Sequence, residues 1–169
     1  YVPVNMMNKL LAAAFCLLFA SFAFAQNDEI NIIPKPQSIQ RGEGRFILSK
    51  ETRIVIFKTV DRPIALMLRD ILKTNLGLDL KIVSDPSPKF NNIFVSTSDD
   101  VVLMKGDDDY TAEVEKNSIH LYGPNSTGLF YAIQTFRQLL PVIATGQISI
   151  PVVKIEDRNR FNYRGMHLD

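Results

Sequence analysis

Residues 110–141, YTAEVEKNSIHLYGPNSTGLFYAIQTFRQLLP, hold both kinds of secondary structure that decide the fold. Thr111, Glu113 and Glu115 alternate with Ala112 and Val114, the period-two pattern of a strand with one solvated face. A second short run, Ser118 to Tyr122, follows across Lys116-Asn117, so the pair predicts a β-hairpin. The pattern then changes period. Leu129, Ile133, Phe136 and Leu140 fall on one helical stripe, Asn125 or Ser126 stands where an N-cap belongs, and Pro141 stops the helix.

The same two signals recur on the N-terminal side. Short strands are predicted at Gln37 to Gln40, Arg45 to Leu48 and Arg53 to Phe57, with Arg41-Gly42-Glu43-Gly44 as a hairpin turn between the first two. Asp61 reads as an N-cap, Pro63 as a first-turn residue, and Ile64, Leu68, Ile71 and Leu72 as the buried stripe of a first helix closed by Gly77. Leu78 to Val83 and Asn92 to Thr97 are further strands, separated by a proline-containing turn, and Ile148 to Ile155 is the last. Strands outnumber helices, and two helices suffice to cover one face of a sheet. The expected class is α+β: a mostly antiparallel sheet with two helices on one face, from about Ile30 to Ile155. The charged run Glu156 to Arg160 then marks a domain boundary.

The first 25 residues are set aside from the core. Lys9 followed by an apolar run from Leu10 to about Phe22, and then Ala23-Phe24-Ala25, has the three-part order of an export signal, with cleavage expected before Gln26. The run is short for a membrane span, and Cys16 sits in the middle of it rather than at a lipidation point. Residues 1–25 are therefore read as leader and signal peptide, 26–157 as the α+β domain and 158–169 as the start of a second domain. Cleavage would remove the single cysteine, so no disulfide is expected in an exported product. It would also remove Lys9, leaving 18 basic against 18 acidic residues from the 19 and 18 of the whole chain, a balance that favours neither nucleic acid nor an anionic membrane as partner.

Few residues carry chemistry by themselves. Asp107-Asp108-Asp109 lacks the glycine and terminal glutamate of a calcium loop and reads as a solvated turn. His120 has no second histidine or cysteine at metal spacing and reads as a sheet-surface residue. Asn125-Ser126-Thr127 matches a glycosylation acceptor, but helix capping is the preferred reading. No His-Glu-x-x-His motif is present, so zinc proteolysis is set aside. Neither a metal nor an organic cofactor is expected.

Three stretches do carry a family resemblance. Ile33-Pro34-Lys35-Pro36-Gln37 resembles the opening of the N-terminal domain that precedes the barrel in family 20 glycoside hydrolases, the β-N-acetylhexosaminidases. Gly128 to Leu140 is similar to that domain's second helix. Ile155 to Asp169, IEDRNRFNYRGMHLD, resembles the passage into the first strand of the family's catalytic barrel. The resemblance implies a hexosaminidase N-terminal domain of zincin-like shape, followed by the first strand of a truncated (β/α)8 barrel. It further implies an exported enzyme, periplasmic or extracellular, that removes terminal non-reducing N-acetylglucosamine or N-acetylgalactosamine from glycans by substrate-assisted, retaining hydrolysis. Arg164, of the Arg-Gly pair, is the implied substrate-binding residue, gripping sugar hydroxyls with its planar fork. The family's catalytic Asp-Glu pair is expected beyond Asp169, because eight barrel strands and helices need roughly 250 residues. On that reading this stretch alone is inactive, and its α+β domain packs on the barrel. The competing reading is a standalone secreted glycan-binding or structural module without catalysis.

Overall fold

The computed structural model describes residues 30–87, 89, 91–97, 106, 108–142 and 146–158. From Ile32 onward they form one unit built on a seven-stranded sheet. The strands are β1 (Ser38–Leu48), β2 (Arg53–Val55), β3 (Lys81–Val83), β4 (Asn92–Thr97), β5 (Tyr110–Val114), β6 (Ser118–Gly123) and β7 (Ile148–Asp157). The helices are α1 (Arg62–Leu76) and α2 (Ser126–Gln138). Across the sheet the order is β1-β7-β5-β6-β4-β2-β3. Antiparallel ladders join β1 to β7, β7 to β5 and β5 to β6, and they carry the larger part of the pairing. On the other side β6, β4, β2 and β3 are parallel neighbours. This is the α+β sheet with two helices that the sequence predicts, with the parallel side as an addition.

The parallel side follows from where the helices lie. β2 leads through α1 to its parallel neighbour β3, and β6 leads through α2 to β7, which runs the same way with β5 between them. Parallel strands need such crossovers. The core lies between sheet and helices. Ile93 and Val95 of β4, Ile119 and Leu121 of β6, Ala112 and Val114 of β5, and Val153 and Ile155 of β7 are paired in register and buried. From the helices come Leu68 and Leu72, then Leu129, Ile133 and Phe136, all fully buried, as the two predicted stripes require.

Local rules account for the helix ends, with one correction. Asn125 accepts from the N–H groups of Thr127 and Gly128 through its Oδ1, so it is the N-cap of α2. Gly77 ends α1 in the left-handed region at φ 70°; its N–H bonds the Lys73 carbonyl and the Leu78 N–H bonds that of Leu72. Asp61 stands at the N-cap position of α1, as expected, but its side chain makes no capping hydrogen bond. It belongs to a 3-10 turn, Thr59–Asp61, that runs into the helix, and its buried carboxylate instead accepts from the Thr97 hydroxyl (2.9 Å) and N–H (3.3 Å) at the end of β4.

A second correction concerns Arg41 to Gly44. They do not turn the chain. β1 is one strand of eleven residues, and the register against β7 shifts between Arg41 and Arg45, which is a bulge. Pro151 stands on the partner strand at that point, where a residue without an N–H does least harm to the ladder. Gly44 adopts φ 102° there. Glycines and charges give the same composition to a bulge as to a turn, and β1 is an edge strand, where such features also discourage pairing with another chain.

Candidate functional site

Arg164 and the export signal lie outside the described residues, as does Asp107. The site that the structure does describe is a cleft of about 300 Å³ beside α2, at the point where β7 ends. Its walls come from three distant parts of the chain: Ile33 and Pro34; Phe130, Tyr131, Gln134, Thr135 and Gln138 of α2; and Asp157 with Arg158, joined by Asp108 and Tyr110. Each of the three stretches that carry the family resemblance thus lines one cleft.

Two polar links hold the walls. Gln138 accepts the Ile33 N–H at 2.9 Å and donates to the Ile33 carbonyl at 3.0 Å, treating an irregular segment as a neighbouring strand would. Deeper in, the Thr135 hydroxyl donates to the Tyr110 oxygen at 2.7 Å, and Tyr110 is also hydrogen-bonded to Asp157. Asp157 in turn accepts the Gln37 N–H at 3.1 Å. Burial raises the Tyr110 phenol above its ordinary value; the Thr135 hydrogen bond opposes the shift and the neighbouring Asp157 charge adds to it. Tyr110 is a hydrogen-bonding post that ties β5, α2 and the end of β7 together.

The floor is polar and satisfied, whereas the rim is apolar and open. Ile33 is 81% exposed, and Phe130 and Tyr131, in an edge-to-face pair at 5.6 Å, lie off the buried stripe of α2. Apolar side chains held on a rigid helix facing solvent suit docking against another surface. No group of three or more His, Cys, Asp or Glu able to hold a metal occurs among the described residues. No described helix is long and apolar enough to cross a membrane.

The other residues singled out from sequence fall elsewhere. His120 is on β6, on the face of the sheet opposite the helices, but it is not simply solvated: its ring stacks on Phe94 at 4.8 Å and on Tyr122 at 5.7 Å, and its nitrogens meet the Tyr122 hydroxyl and the Ser118 hydroxyl at 2.8 and 3.0 Å. Burial, followed by the charges of Glu113 and Glu115, raises the Tyr122 phenol. Asp109, read as part of a solvated turn, is buried and accepts from the Gly106 N–H. The sequence reading missed the cleft itself. Its one local signal is that Phe130 and Tyr131 add apolar surface to α2 outside the stripe that packs on the sheet.

Comparison with known proteins agrees with this geometry. Residues 29–158 match the family model described as glycosyl hydrolase family 20, domain 2. A β-hexosaminidase of Porphyromonas gingivalis is 29% identical over 180 aligned positions, which take in 97% of this chain and 23% of that protein. The β-N-acetylhexosaminidase of Streptomyces coelicolor superposes with a TM-score of 0.69 at 24% identity, covering 79% of this chain and 27% of that one. The exo-β-N-acetylglucosaminidase of Vibrio harveyi, solved with N-acetylglucosamine, gives 0.64 at 24% identity over 79% of this chain and 20% of its own. The chain spans about a quarter of the length of these relatives.

Proposed function

Since the chain belongs to glycosyl hydrolase family 20 and carries that family's domain 2, we propose that it is the N-terminal, non-catalytic part of an exported β-N-acetylhexosaminidase. In this reading the catalytic barrel follows the described domain and removes terminal N-acetylglucosamine or N-acetylgalactosamine from glycans, with the substrate's own acetamido group assisting. Arg164 lies six positions beyond the cleft residue Arg158 and is the proposed contact to hydroxyls of the terminal sugar. Residues 1–25 direct export to the periplasm or the medium and are then removed.

The observation that carries the reading is the convergence of the three resembling stretches on one cleft. That cleft has an apolar rim and lies where β7 hands the chain on. It suits a domain whose task is to seat the next one: Ile33, Phe130 and Tyr131 would be covered by the barrel, and the Tyr110–Asp157 link would fix the angle at which the chain enters it. The relative from P. gingivalis is named a β-hexosaminidase, and N-acetylglucosamine is the sugar bound in the V. harveyi structure, which favours this substrate class.

The test is to express the complete gene product and assay it with a chromogenic N-acetylglucosaminide. Turnover that falls with Arg164→Ala chiefly through a raised KM supports the reading. A complete product that leaves the substrate untouched sinks it, in favour of a module without catalysis. Sequencing the N-terminus of exported protein should give Gln26.

A further inference from the structure

At the far side of the sheet from β1, a second cleft has a different chemistry. It holds about 180 Å³ and opens at the carboxyl ends of β2 and β3, the place in a parallel sheet where connecting loops leave room for a ligand. Phe57, Lys58, Thr59, Arg62 and Ser84 line it above Ile56 and Val83.

Phe57 is the unusual member. A phenylalanine 61% exposed on a monomer is ordinary when it stands alone, but this one ends a row of stacked rings. Phe57 lies on Phe94 at 6.1 Å and 18° between planes, Phe94 on His120 at 4.8 Å and 7°, and His120 on Tyr122 at 5.7 Å. Within the row the ring faces are used up on one another. Of the two end rings, Phe57 and Tyr122, it is Phe57 that lines the cleft, backed by the stack behind it. An aromatic face immobilised before the ligand arrives loses little freedom on binding.

The polar groups set the ligand class. Arg62 is exposed at the first position of α1 and offers a planar fork of donors; Thr59 and Ser84 add hydroxyls that both donate and accept. Lys58, whose ammonium donates to the Thr97 carbonyl at 2.9 Å, adds a second positive charge. Among the described residues no carboxylate lines the cleft, since Asp61 turns inward to Thr97. A flat apolar face, hydroxyls and two cationic side chains together fit a pyranose ring bearing an anionic group. The cleft is smaller than an ordinary small-molecule pocket of about 300 Å³ or more, so it takes one ring and not a chain.

We infer that the cleft between Phe57 and Arg62 is a second, non-catalytic sugar site that binds one anionic pyranose, a uronic acid or a sulfated hexosamine. The ring stacks on Phe57, and its carboxylate or sulfate pairs with Arg62. The inference is independent of the hydrolytic reading.

Ligand-observed NMR on the complete protein tests it, with glucuronic acid, N-acetylglucosamine 6-sulfate and neutral N-acetylglucosamine as probes. To keep the barrel's own sugar site out of the signal, each variant is compared with the parent protein. We expect at least one anionic probe to bind with a Kd on the order of 1 mM, weakening as salt is added. Phe57→Ala and Arg62→Gln should each weaken that binding about tenfold or more, the loss of about 1.4 kcal/mol. Both residues are exposed, so unchanged melting and unchanged turnover of the chromogenic substrate should accompany the loss. If glucuronic acid binds and the sulfated probe does not, the anion is a carboxylate; the reverse result makes it a sulfate. The inference is overturned if neither anionic probe shows binding that the two variants reduce, or if the variant-sensitive binding is equally strong for the neutral sugar.

Discussion

Gln138 and Ile33, 105 residues apart, meet in a pair of hydrogen bonds that exhausts both backbone groups of Ile33 with one side-chain amide. A proline follows Ile33, so this segment cannot join a strand ladder in the ordinary way, and the amide of α2 supplies what a neighbouring strand would. Gln138→Ala should release the segment without unfolding the sheet. Both groups are reachable by water, so the cost is about 1 kcal/mol, a fall in Tm of about 2–4 °C. Hydrogen exchange is the direct measurement: the Ile33 amide should lose protection while Ile93 and Ile119 keep theirs. Equal exchange in both proteins would mean the clamp holds nothing.

Gly128 and Gly77 should respond differently to alanine. A Cβ on Gly128 would lie 2.3 Å from the Asp109 carbonyl oxygen and 2.8 Å from Pro124 Cδ, so α2 would have to lift from the end of β6. The expected loss is about 3 kcal/mol, at the upper end of overpacking. At Gly77 a Cβ meets nothing within 4 Å, and only the left-handed φ of 70° is costly, about 1 kcal/mol. Denaturant melts of the two variants check the order, and a Gly77→Ala loss as large as that of Gly128→Ala would contradict the close approach.

Tyr110 links stability to alkaline pH. Its folded pKa is raised by burial above the ordinary 10.0, so its neutral form is favoured in the fold. Below about pH 10 both states are protonated and nothing changes. Above it the unfolded chain ionises first, and stability falls until the folded pKa is passed. Tyr122, also raised chiefly by burial, adds to the same alkaline slope. Tyr110→Phe should cost about 1–2 kcal/mol at neutral pH, because the buried Thr135 hydroxyl loses its partner, and should flatten the decline above pH 10. Chemical melts at pH 8 and pH 11 measure both effects. A slope unchanged by the substitution would place the titrating group elsewhere.

Phe130→Asp and Tyr131→Asp change exposed positions and should leave the isolated fold within about 0.5 kcal/mol of the parent. In the complete gene product the same changes put charge on the proposed seat of the barrel. Limited proteolysis should then cut after Asp157 much faster, and Tm should fall. A complete gene product indifferent to both substitutions would count against this cleft as the seat of a following domain.

What could be read from sequence was the information written locally. The hairpin of β5 and β6, the Asn125 cap, the stop at Gly77 and the stripes of both helices depend on neighbours a few residues away, and they stand where the patterns place them. Arg41 to Gly44 misled because a turn and a bulge ask for the same residues, and the deciding feature, Pro151, lies more than a hundred positions off. Asp61 misled for a similar reason: its partner Thr97 is 36 residues away and outcompetes the helix start. The parallel pairings of β2, β3 and β4 leave no mark in any one strand. The cleft was illegible as a place, although all three of the stretches that line it were noticed one by one; Arg164 lies outside the described residues.

The order of the strands sets a timetable for folding. β1 is made first, yet among the described strands its one neighbour is β7, the last of them. A chain emerging from its N-terminus can close the β5–β6 hairpin and lay down α1 early, since these contacts are local, but β1 must wait through more than a hundred residues for a partner. The segment carrying Ile33 and Pro34 waits with it, because the Gln37 N–H bonds Asp157. Closure of this domain therefore coincides with delivery of its last strand.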